Sequence, residues 1–320
     1  MLNKKQKIMK TEKHYSGRDL LAYMDSRCKM LERNKRSGTA GIYRSTRNRL
    51  KGFVNSSSLP FKEVTLRFMR DFESSMRQAN LSPNSQCTYL SCLRTVYNSA
   101  VSDRLAPKDS NPFPHLHFSP KRTDKVTIDV DALEKIALCD LDGEGELSFA
   151  RDLFIFSFMA CGIPFVDLAY LTTANLVDGF LVYYRRKTNI RICIRLSKGM
   201  RALLNKYSGK GVGNYLFPIL KKADSSYTEY KSSLRTYNRR LRRIREKLKL
   251  PVKLTSYVAR HAWAMEAKRL HTPLGIIGES LGHTSEKTTR FYLSSLDQMV
   301  LDKANMQVIR SLDSIVRRSR

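Results

Sequence analysis

The sequence has 320 residues, 42% hydrophobic and 27% charged, and at roughly 100–200 residues per domain this length predicts two globular domains. No apolar run approaches the roughly 18–20 residues of a membrane-spanning helix, and no apolar segment follows the basic N-terminus as in a secretory signal. Composition therefore excludes a membrane protein and predicts a cytoplasmic one. The 58 Lys and Arg residues against 29 Asp and Glu residues give a formal net charge of +29. Because so large an excess of like charge opposes the compact state unless a partner neutralises it, we expect a polyanion partner, nucleic acid before an anionic membrane surface.

The cysteines and histidines do not form a metal-ligand pattern. Six cysteines lie scattered in apolar segments with no CxxC pair, which favours buried free thiols in a reducing compartment. His115 and His117 form an HxH pair with no acidic or cysteine residue nearby, and we interpret them as linker residues rather than zinc ligands. The sequence predicts neither a metal ion nor another cofactor.

Residues 1–15 are predicted to be a basic tail and residues 16–106 a small helical domain. Apolar residues recur at spacings of three and four from Leu20, from Ile42 and from Leu66, as on amphipathic helices. A fourth helix is predicted after Ser82-Pro83, an N-cap followed by proline at the first helical position. The prolines of the segment 107–125 predict a linker. Basic residues cover the other helix faces, and we expect four of them to contact phosphates: Arg44, Arg47, Lys51 and Arg94.

Residues 126–305 are predicted to form a second, mostly helical domain with a small antiparallel sheet, followed by a tail at 306–320. Helices are predicted near 129–138 and at 146–161, the latter buried because it is strongly apolar. Two apolar runs, 180–187 and 192–196, predict strands joined around Thr188-Asn189. Apolar residues from Leu234 to Leu248 then repeat at helical spacing, with a basic ridge on the other faces. From this ridge we expect Arg239 and Arg243 to contact DNA.

The segment 254–292 carries the most specific signal. It contains Arg260 followed by His261, the tripeptide Leu281-Gly282-His283, and Tyr292 nine residues after that histidine. One at a time, these residues have ordinary explanations: a surface salt bridge, a turn cap and a packed core tyrosine. Together they closely resemble the catalytic C-terminus of tyrosine recombinases, the phage-integrase family of DNA strand-exchange enzymes. The resemblance covers about residues 146–295, and more loosely the helical domain before them, which is similar to the family's core-binding (SAM-like) domain.

The resemblance implies a fold and a set of catalytic roles. The fold is mainly α with a small antiparallel sheet, in which the two domains form a clamp around duplex DNA. Tyr292 would be the nucleophile, Arg260 would hold a non-bridging phosphate oxygen through its planar charged fork, and His283 would donate to the same phosphate or move a proton. Lys187 matches the lysine that protonates the departing 5′ oxygen, and Asp167 matches a supporting acid. Arg290 joins the expected DNA contacts.

The sequence departs from the family pattern at two positions. Pro164 stands where the family has its first arginine, and Tyr257 stands where a histidine usually precedes the second arginine by three residues. Losing one preorganised donor typically costs about 3–4 kcal/mol of transition-state stabilisation. Arg185 is the candidate substitute, because alternate residues of a strand share a face and Lys187 lies two residues on; alternatively, Arg185 binds a flanking phosphate. Some mobile-element recombinases similar to this chain also lack the first arginine, so the departure resembles a subfamily trait.

The predicted function is site-specific recombination of double-stranded DNA through a 3′-phosphotyrosyl intermediate, for integration or excision of a mobile element or for DNA inversion. The resemblance implies a homotetramer on paired recombination sites and passage through a Holliday junction, with no metal and no ATP. An accessory DNA-bending protein is a further expected partner, and the nucleoid in the cytoplasm is the expected location. Two alternatives stay open: a catalytically silent DNA-binding protein that keeps the fold, and type IB topoisomerase-like activity.

Overall fold

The computed structural model describes residues 19–121 and 126–293, and the side chains of Phe291 and Tyr292 lie outside this description. The chain divides into two compact units, Met1–Thr123 and Asp124–Arg320. The boundary falls inside the segment predicted to be a linker. The predicted tails 1–15 and 306–320 lie outside the described residues. No helix among the described residues is long and apolar enough to cross a membrane.

The first unit is helical in its described part, with α1 at Leu20–Arg33, α2 at Ser37–Val54, α3 at Leu66–Gln78 and α4 at Pro83–Ser102. The helices begin at side-chain caps where the sequence provides them. Asp19 Oδ1 accepts from the backbone N–H of Ala22 at 2.8 Å, and Ser82 Oγ accepts from that of Ser85 at 3.2 Å with proline in the first turn. Each cap satisfies a backbone donor that the helix leaves without an intrahelical partner.

The core of the first unit extends beyond the predicted domain end at residue 106. Phe113 and Leu116, placed in the linker by their neighbouring prolines, are buried against the helices. Arg94 of α4 holds this segment, because its Nη2 donates to the carbonyl oxygen of Leu116 at 2.7 Å and its guanidinium lies 4.1 Å from the centre of the Phe118 ring. His115 and His117 are exposed on the same segment.

The second unit surrounds a larger core with helices α5 at Val130–Ala137, α6 at Gly145–Met159, α7 at Phe165–Leu168, α8 at Lys198–Tyr207, α9 at Tyr227–Lys247, α10 at Val258–Arg269, α11 at Leu274–Ser280 and α12 at Glu286–Tyr292. The apolar α6 is buried as predicted, with Phe154 and Phe156 fully covered. The Phe165 and Tyr237 rings stack at 4.7 Å between centroids and join α7 to α9.

The sheet has three antiparallel strands in the order β1-β2-β3, with β1 at Leu176–Val177, β2 at Phe180–Tyr184 and β3 at Arg191–Arg195. The hairpin of β2 and β3 was predicted; β1, only two residues long, gave no periodic signal. β2 ends three residues earlier than predicted. The backbone N–H groups of Thr188 and Asn189 both donate to the carbonyl oxygen of Arg185, so the chain turns immediately after Tyr184.

Candidate active site

Arg260 lies in the first turn of α10 and is almost fully buried, with 2% of its surface exposed. Its Nη1 donates to the carbonyl oxygen of Gly162 at 3.0 Å and its Nη2 to that of Leu281 at 2.5 Å. Gly162 has φ +67°, and a Cβ at this position would lie 2.5 Å from the Cα of Arg260. Only glycine permits this approach. Arg260 is therefore a site residue fixed on two sides, and the surface salt bridge considered from sequence does not describe it.

His283 follows α11 and lies between Arg260 and α12. Its Nε2 is 3.4 Å from Arg260 Nη2, and its Nδ1 is 2.9 Å from Oγ1 of Thr289. Its backbone N–H donates to the carbonyl oxygen of Gly278 at 2.9 Å. Both ring nitrogens therefore have named neighbours, and the imidazole plane is fixed relative to the guanidinium.

Arg185 approaches the same loop from the sheet. It is 7% exposed, and its Nη1 donates to the carbonyl oxygens of Leu281 at 2.7 Å and of Gly282 at 3.1 Å. Gly282 has φ +63°, and a Cβ there would lie 2.4 Å from Cδ of Arg185. The Leu281–His283 loop is thus clamped between Arg185 and Arg260.

Asp167 of α7 supports Arg185 from behind. Its Oδ2 lies 3.5 Å from Arg185 Nε, and its Oδ1 accepts from the backbone N–H of Arg186 at 2.8 Å. Burial raises the pKa of the Asp167 carboxyl above its usual value, and the hydrogen bond from Arg186 and the charges of Arg185 and Arg260 oppose this rise. The carboxylate is positioned to orient Arg185 rather than to meet a substrate, because it is only 3% exposed.

The expectation that Arg185 and Lys187 share a strand face is wrong. Because β2 ends at Tyr184, the two-residue alternation does not extend to Lys187. Arg185 is buried and Lys187 is exposed on the turn. The turn itself is tethered to the site, since Thr188 Oγ1 donates to the carbonyl oxygen of Gly282 at 3.2 Å.

The two departures from the family pattern occupy different environments. Pro164 is the N-cap of α7, and its carbonyl oxygen accepts from the backbone N–H of Asp167 at 2.9 Å. Its ring offers no donor to a phosphate. Tyr257 is the N-cap residue of α10 and is 54% exposed, so its hydroxyl can reach a ligand approaching from solvent.

Tyr292 is the last residue of α12, and its side chain lies outside the described part of the chain. The residues around it fix the helix. Thr289 is fully buried, Leu293 is 4% exposed within a small apolar cluster, and Lys268 Nζ donates to the carbonyl oxygen of Leu293 at 2.9 Å. The backbone of the predicted nucleophile is therefore anchored beside His283.

The predicted DNA-contact residues differ in what they already bind. Arg44 pairs with Glu32, Arg47 with Asp25 at 2.7 Å, Arg243 with Glu144 at 3.2 Å and Arg290 with Glu286 at 3.6 Å. Such pairs, when exposed, are worth about 0–1 kcal/mol and can be exchanged for phosphate. Lys51 and Arg239 are exposed. Arg94 differs from the others, because its Nη2 already donates to the carbonyl oxygens of Phe113 and Leu116. These bonds give it a structural role, and its contact with DNA stays a prediction.

The sequence reasoning missed Thr289 and the backbone carbonyls that orient the two arginines. A threonine six residues after a histidine has no chemical signature of its own, and carbonyl oxygens are not visible in sequence. The only available signal was the pair of glycines, Gly162 and Gly282, which the close approach of Arg260 and Arg185 requires. Among the described residues, no group of three or more His, Cys, Asp or Glu side chains could hold a metal ion.

Two protein-family models match the sequence. A model described as the phage integrase SAM-like domain matches residues 19–119, and one described as the phage integrase family matches residues 144–299. Together these define a tyrosine site-specific recombinase, with a helical N-terminal domain and a catalytic domain. The chain belongs to the phage integrase family of tyrosine recombinases. The resemblance, the fold class and the enzyme class predicted from sequence are thereby confirmed.

Several solved structures with a similar fold are integrases bound to DNA. A lambda integrase dimer bound to a COC′ core site has a TM-score of 0.65 at 16% identity, covering 86% of this chain and 95% of that one. A lambda integrase tetramer bound to a Holliday junction has a TM-score of 0.63 at 15% identity, with 87% and 79% covered. The Tn1549 transposon integrase in complex with a circular intermediate DNA has a TM-score of 0.59 at 16% identity, with 92% and 99% covered. No curated protein matches the sequence significantly.

Proposed function

We propose that this recombinase cuts and rejoins duplex DNA through a 3′-phosphotyrosyl intermediate despite the proline at position 164. The observation that carries the proposal is the convergence of two buried guanidinium groups, those of Arg185 and Arg260, on the loop that carries His283. Two guanidinium groups held at fixed positions can stabilise the charge that develops on a phosphate without reorganising during the reaction. The helix that ends in Tyr292 is anchored beside them.

The chemistry assigns one step to each group. The Tyr292 oxygen attacks the scissile phosphorus and the bond from phosphorus to the 5′ oxygen breaks. The phenol proton, ordinarily held with a pKa near 10, passes to water with the assistance of His283. Lys187, exposed on the turn after β2, donates the proton to the departing 5′ oxygen. A 5′ hydroxyl from the partner duplex then reverses these steps. The phosphotyrosyl bond conserves the energy of the phosphodiester, so the cycle needs no nucleoside triphosphate.

Arg185 supplies the positive charge that Pro164 cannot. Its buried Nη1 shares an acceptor with Arg260 Nη2, the carbonyl oxygen of Leu281, so the second guanidinium lies beside the first without coming from α7. The Asp167 carboxylate lies behind it as an ion-pair partner, with Oδ2 3.5 Å from Nε. The alternative, a flanking phosphate contact, is less favoured because Arg185 lies beside Arg260 on the same carbonyl oxygen. Tyr257, exposed at the start of α10, donates a hydrogen bond to the phosphate in place of the usual histidine.

The biological reaction we propose is integration or excision of a mobile element, or inversion of a DNA segment, by a homotetramer on two paired DNA sites in the cytoplasm. The similar structures support an assembly of this kind, because one is a lambda integrase tetramer bound to a Holliday junction and another a transposon integrase bound to transposon right end DNA. An accessory DNA-bending protein stays a prediction.

The test is a suicide substrate: nicked duplexes carrying the inverted repeats that flank the gene for this protein. The wild-type chain is expected to form an SDS-resistant adduct that Tyr292→Phe abolishes without loss of DNA binding. Binding to the same site with no adduct would instead favour the catalytically silent DNA-binding protein, which the proline at 164 also favours. Relaxation of a supercoiled plasmid lacking the repeats would favour topoisomerase activity.

A further inference from the structure

The turn after β2 holds Lys187 between two anchored residues. The backbone N–H of Arg186 donates to Asp167 Oδ1 at 2.8 Å, and Thr188 Oγ1 donates to the carbonyl oxygen of Gly282 at 3.2 Å. Lys187 itself is exposed. The residue before the lysine is therefore tied to α7 and the residue after it to the loop that follows α11, while the lysine side chain stays accessible.

Backbone hydrogen bonds within the hairpin set the shape of this turn. The N–H groups of Thr188 and Asn189 both donate to the carbonyl oxygen of Arg185, at 3.3 Å and 2.7 Å. Asn189 has φ +56°, a left-handed conformation that asparagine adopts more readily than most residues. These bonds connect the turn to itself. The Thr188 hydroxyl, in contrast, connects the turn to the loop that carries His283.

The acceptor of the Thr188 hydroxyl is itself held in place. The carbonyl oxygen of Gly282 also accepts from Arg185 Nη1 at 3.1 Å, and its two lone pairs allow both bonds. Gly282 lies against the same arginine, since a Cβ there would be 2.4 Å from Cδ of Arg185. Thr188 therefore binds a carbonyl whose position is set by a buried guanidinium, and this bond fixes the turn relative to the arginine.

We propose that Thr188 is a positioning residue for Lys187: its hydroxyl holds the turn on the Gly282 carbonyl, so that the lysine ammonium reaches the departing 5′ oxygen. This inference rests on the proposed function for its chemical step. In that step the bond from the Tyr292 oxygen to phosphorus forms, the bond from phosphorus to the 5′ oxygen breaks, and a proton of the ammonium passes to that oxygen. A misplacement of about 1 Å can slow such a reaction by roughly 10²-fold.

A substrate with sulfur in place of the bridging 5′ oxygen separates this role from an effect on the arginines. The pKa of a thiol is near 8.5, so a thiolate leaves without a proton, whereas an alkoxide needs one. The sulfur substrate therefore rescues a variant that has lost proton donation. It does not rescue the loss of an arginine that stabilises charge on the non-bridging oxygens, because both substrates contain these oxygens.

The experiment measures adduct formation on the nicked duplex in its oxygen and sulfur forms. Thr188→Val keeps the shape of the side chain and removes its hydroxyl. It is expected to slow the oxygen reaction by about 10–100-fold, a part of the roughly 10²–10⁴-fold that proton transfer supplies, and to cleave the sulfur substrate at close to the wild-type rate. Thr188→Ser keeps the hydroxyl and is expected to restore the oxygen reaction.

Two reference variants calibrate the comparison, and a third is the matched control. Lys187→Met is expected to be slow on the oxygen substrate and rescued by sulfur, whereas Arg185→Met is expected to be slow on both. Thr173→Val makes the same change at an exposed threonine just before β1 and is expected to keep the wild-type rates.

Amide hydrogen exchange tests the position of the turn without DNA or cleavage. In the full-length protein, Thr188→Val is expected to speed exchange in the peptide that covers residues 184–191, because the turn loses its bond to the Gly282 carbonyl. Thr188→Ser and Thr173→Val are expected to exchange as the wild type does. Unchanged exchange in Thr188→Val would show that the hydroxyl does not hold the turn.

The outcomes separate this inference from the proposed function. A wild-type rate of Thr188→Val on the oxygen substrate, or equal slowing on both substrates, would overturn the role of Thr188. If sulfur does not rescue Lys187→Met, the lysine is not the proton donor, and the proposed step and the role of Thr188 fail together. If the wild type forms no adduct, the proposed function fails, and amide exchange alone decides whether Thr188 holds the turn. Should Thr188→Val not fold, Thr188→Ala removes the same hydroxyl and takes its place.

Discussion

Arg185 and Arg260 donate to the same backbone oxygen, the carbonyl of Leu281, at 2.7 Å and 2.5 Å. The two residues come from different elements, one from the turn after β2 and the other from the start of α10. A carbonyl oxygen has two lone pairs and can accept from both. This shared acceptor sets the spacing of two positive charges and makes the Leu281–His283 loop the centre of the site.

The first prediction concerns the charge that Arg185 contributes. Arg185→Met is expected to slow adduct formation on the suicide substrate by about 100–1,000-fold, the usual cost of removing one preorganised donor from a phosphate site. Arg185→Lys keeps the charge but lacks the fork that reaches both Leu281 and Asp167, so an intermediate rate is expected. Wild-type cleavage by Arg185→Met would show that another group replaces the missing arginine.

Loss of Arg185 also has a cost in stability that must be separated from catalysis. Arg185→Met leaves the carboxylate of Asp167 buried without its ion-pair partner, and breaking such a pair typically costs about 3–5 kcal/mol. Urea unfolding of the variant measures this. The control is Arg186→Met, because Arg186 is exposed and stacks 4.0 Å above the Tyr170 ring. It is expected to lose far less stability.

A second prediction tests the close approach of α10 to Gly162. Gly162→Ala adds a Cβ that would lie 2.5 Å from Arg260 Cα, at a residue with φ +67°. We expect a loss of about 1–3 kcal/mol in the free energy of unfolding from the strained backbone alone, together with slower cleavage because Arg260 is displaced. Gly145→Ala is the matched control, since a Cβ there meets nothing within 4 Å and alanine favours a helix. Equal stability of the two variants would contradict the close contact between Gly162 and Arg260.

The third prediction is a dependence of stability on pH that originates at Asp167. Burial raises the pKa of this carboxyl above its ordinary value. Between the ordinary and the raised pKa, the folded protein binds more protons than the unfolded chain, so the free energy of unfolding falls as pH rises through this interval. At pH values above this interval, Asp167 is fully ionised in the folded protein, and the whole unfavourable free energy of burying its charge lowers the stability.

Asp167→Asn removes this titrating group, so its free energy of unfolding is expected to decrease less with rising pH than that of the wild type. The variant is less stable overall because Arg185 loses its ion-pair partner. Urea midpoints measured at a series of pH values, upward from the ordinary carboxyl pKa near 4, give the two slopes. Asp131→Asn, at an exposed carboxylate of α5, is the control. Parallel slopes for wild type and Asp167→Asn would assign the dependence to other groups.

The candidate site residues could be named from the sequence because each is a specific residue type at a fixed spacing in the family pattern. Arg260, His283 and Tyr292 belong to a segment whose pattern is local, and the apolar periodicity around them located most of the helices. Tertiary geometry was not predictable in the same way. The end of β2 at Tyr184, which separates Arg185 from Lys187, depends on a turn that closes through backbone hydrogen bonds to Arg185.

The packing of Phe113 and Leu116 was missed for a related reason. Prolines interrupt helical periodicity, and the absence of a period predicted a linker, but Phe113 and Leu116 still supply apolar area to the first core. The segment forms one short 3-10 turn, Phe113–His115, and an arginine on the preceding helix donates to the carbonyl oxygens of Phe113 and Leu116. Arg94 was therefore assigned to DNA from its charge, when its partners lie about twenty residues further along the same chain.

The final prediction separates basic residues that bind DNA from one that stabilises the fold. Lys51→Gln and Arg239→Gln, both at exposed positions, are each expected to reduce the slope of log K against log salt by about 1, the loss of one phosphate contact. Their free energies of unfolding are expected to stay near that of the wild type. Titration of a cognate duplex at several salt concentrations measures the slopes.

Arg94→Gln is expected to behave in the opposite way. Its guanidinium satisfies the carbonyl oxygens of Phe113 and Leu116, and leaving a buried polar group without its partner costs about 1–3 kcal/mol. The free energy of unfolding is expected to fall by about this amount, while the salt slope stays that of the wild type because no phosphate contact is lost. A reduced salt slope with an unchanged free energy of unfolding would show that Arg94 contacts DNA. Residues 113–118 would then be stabilised by contacts other than those with Arg94.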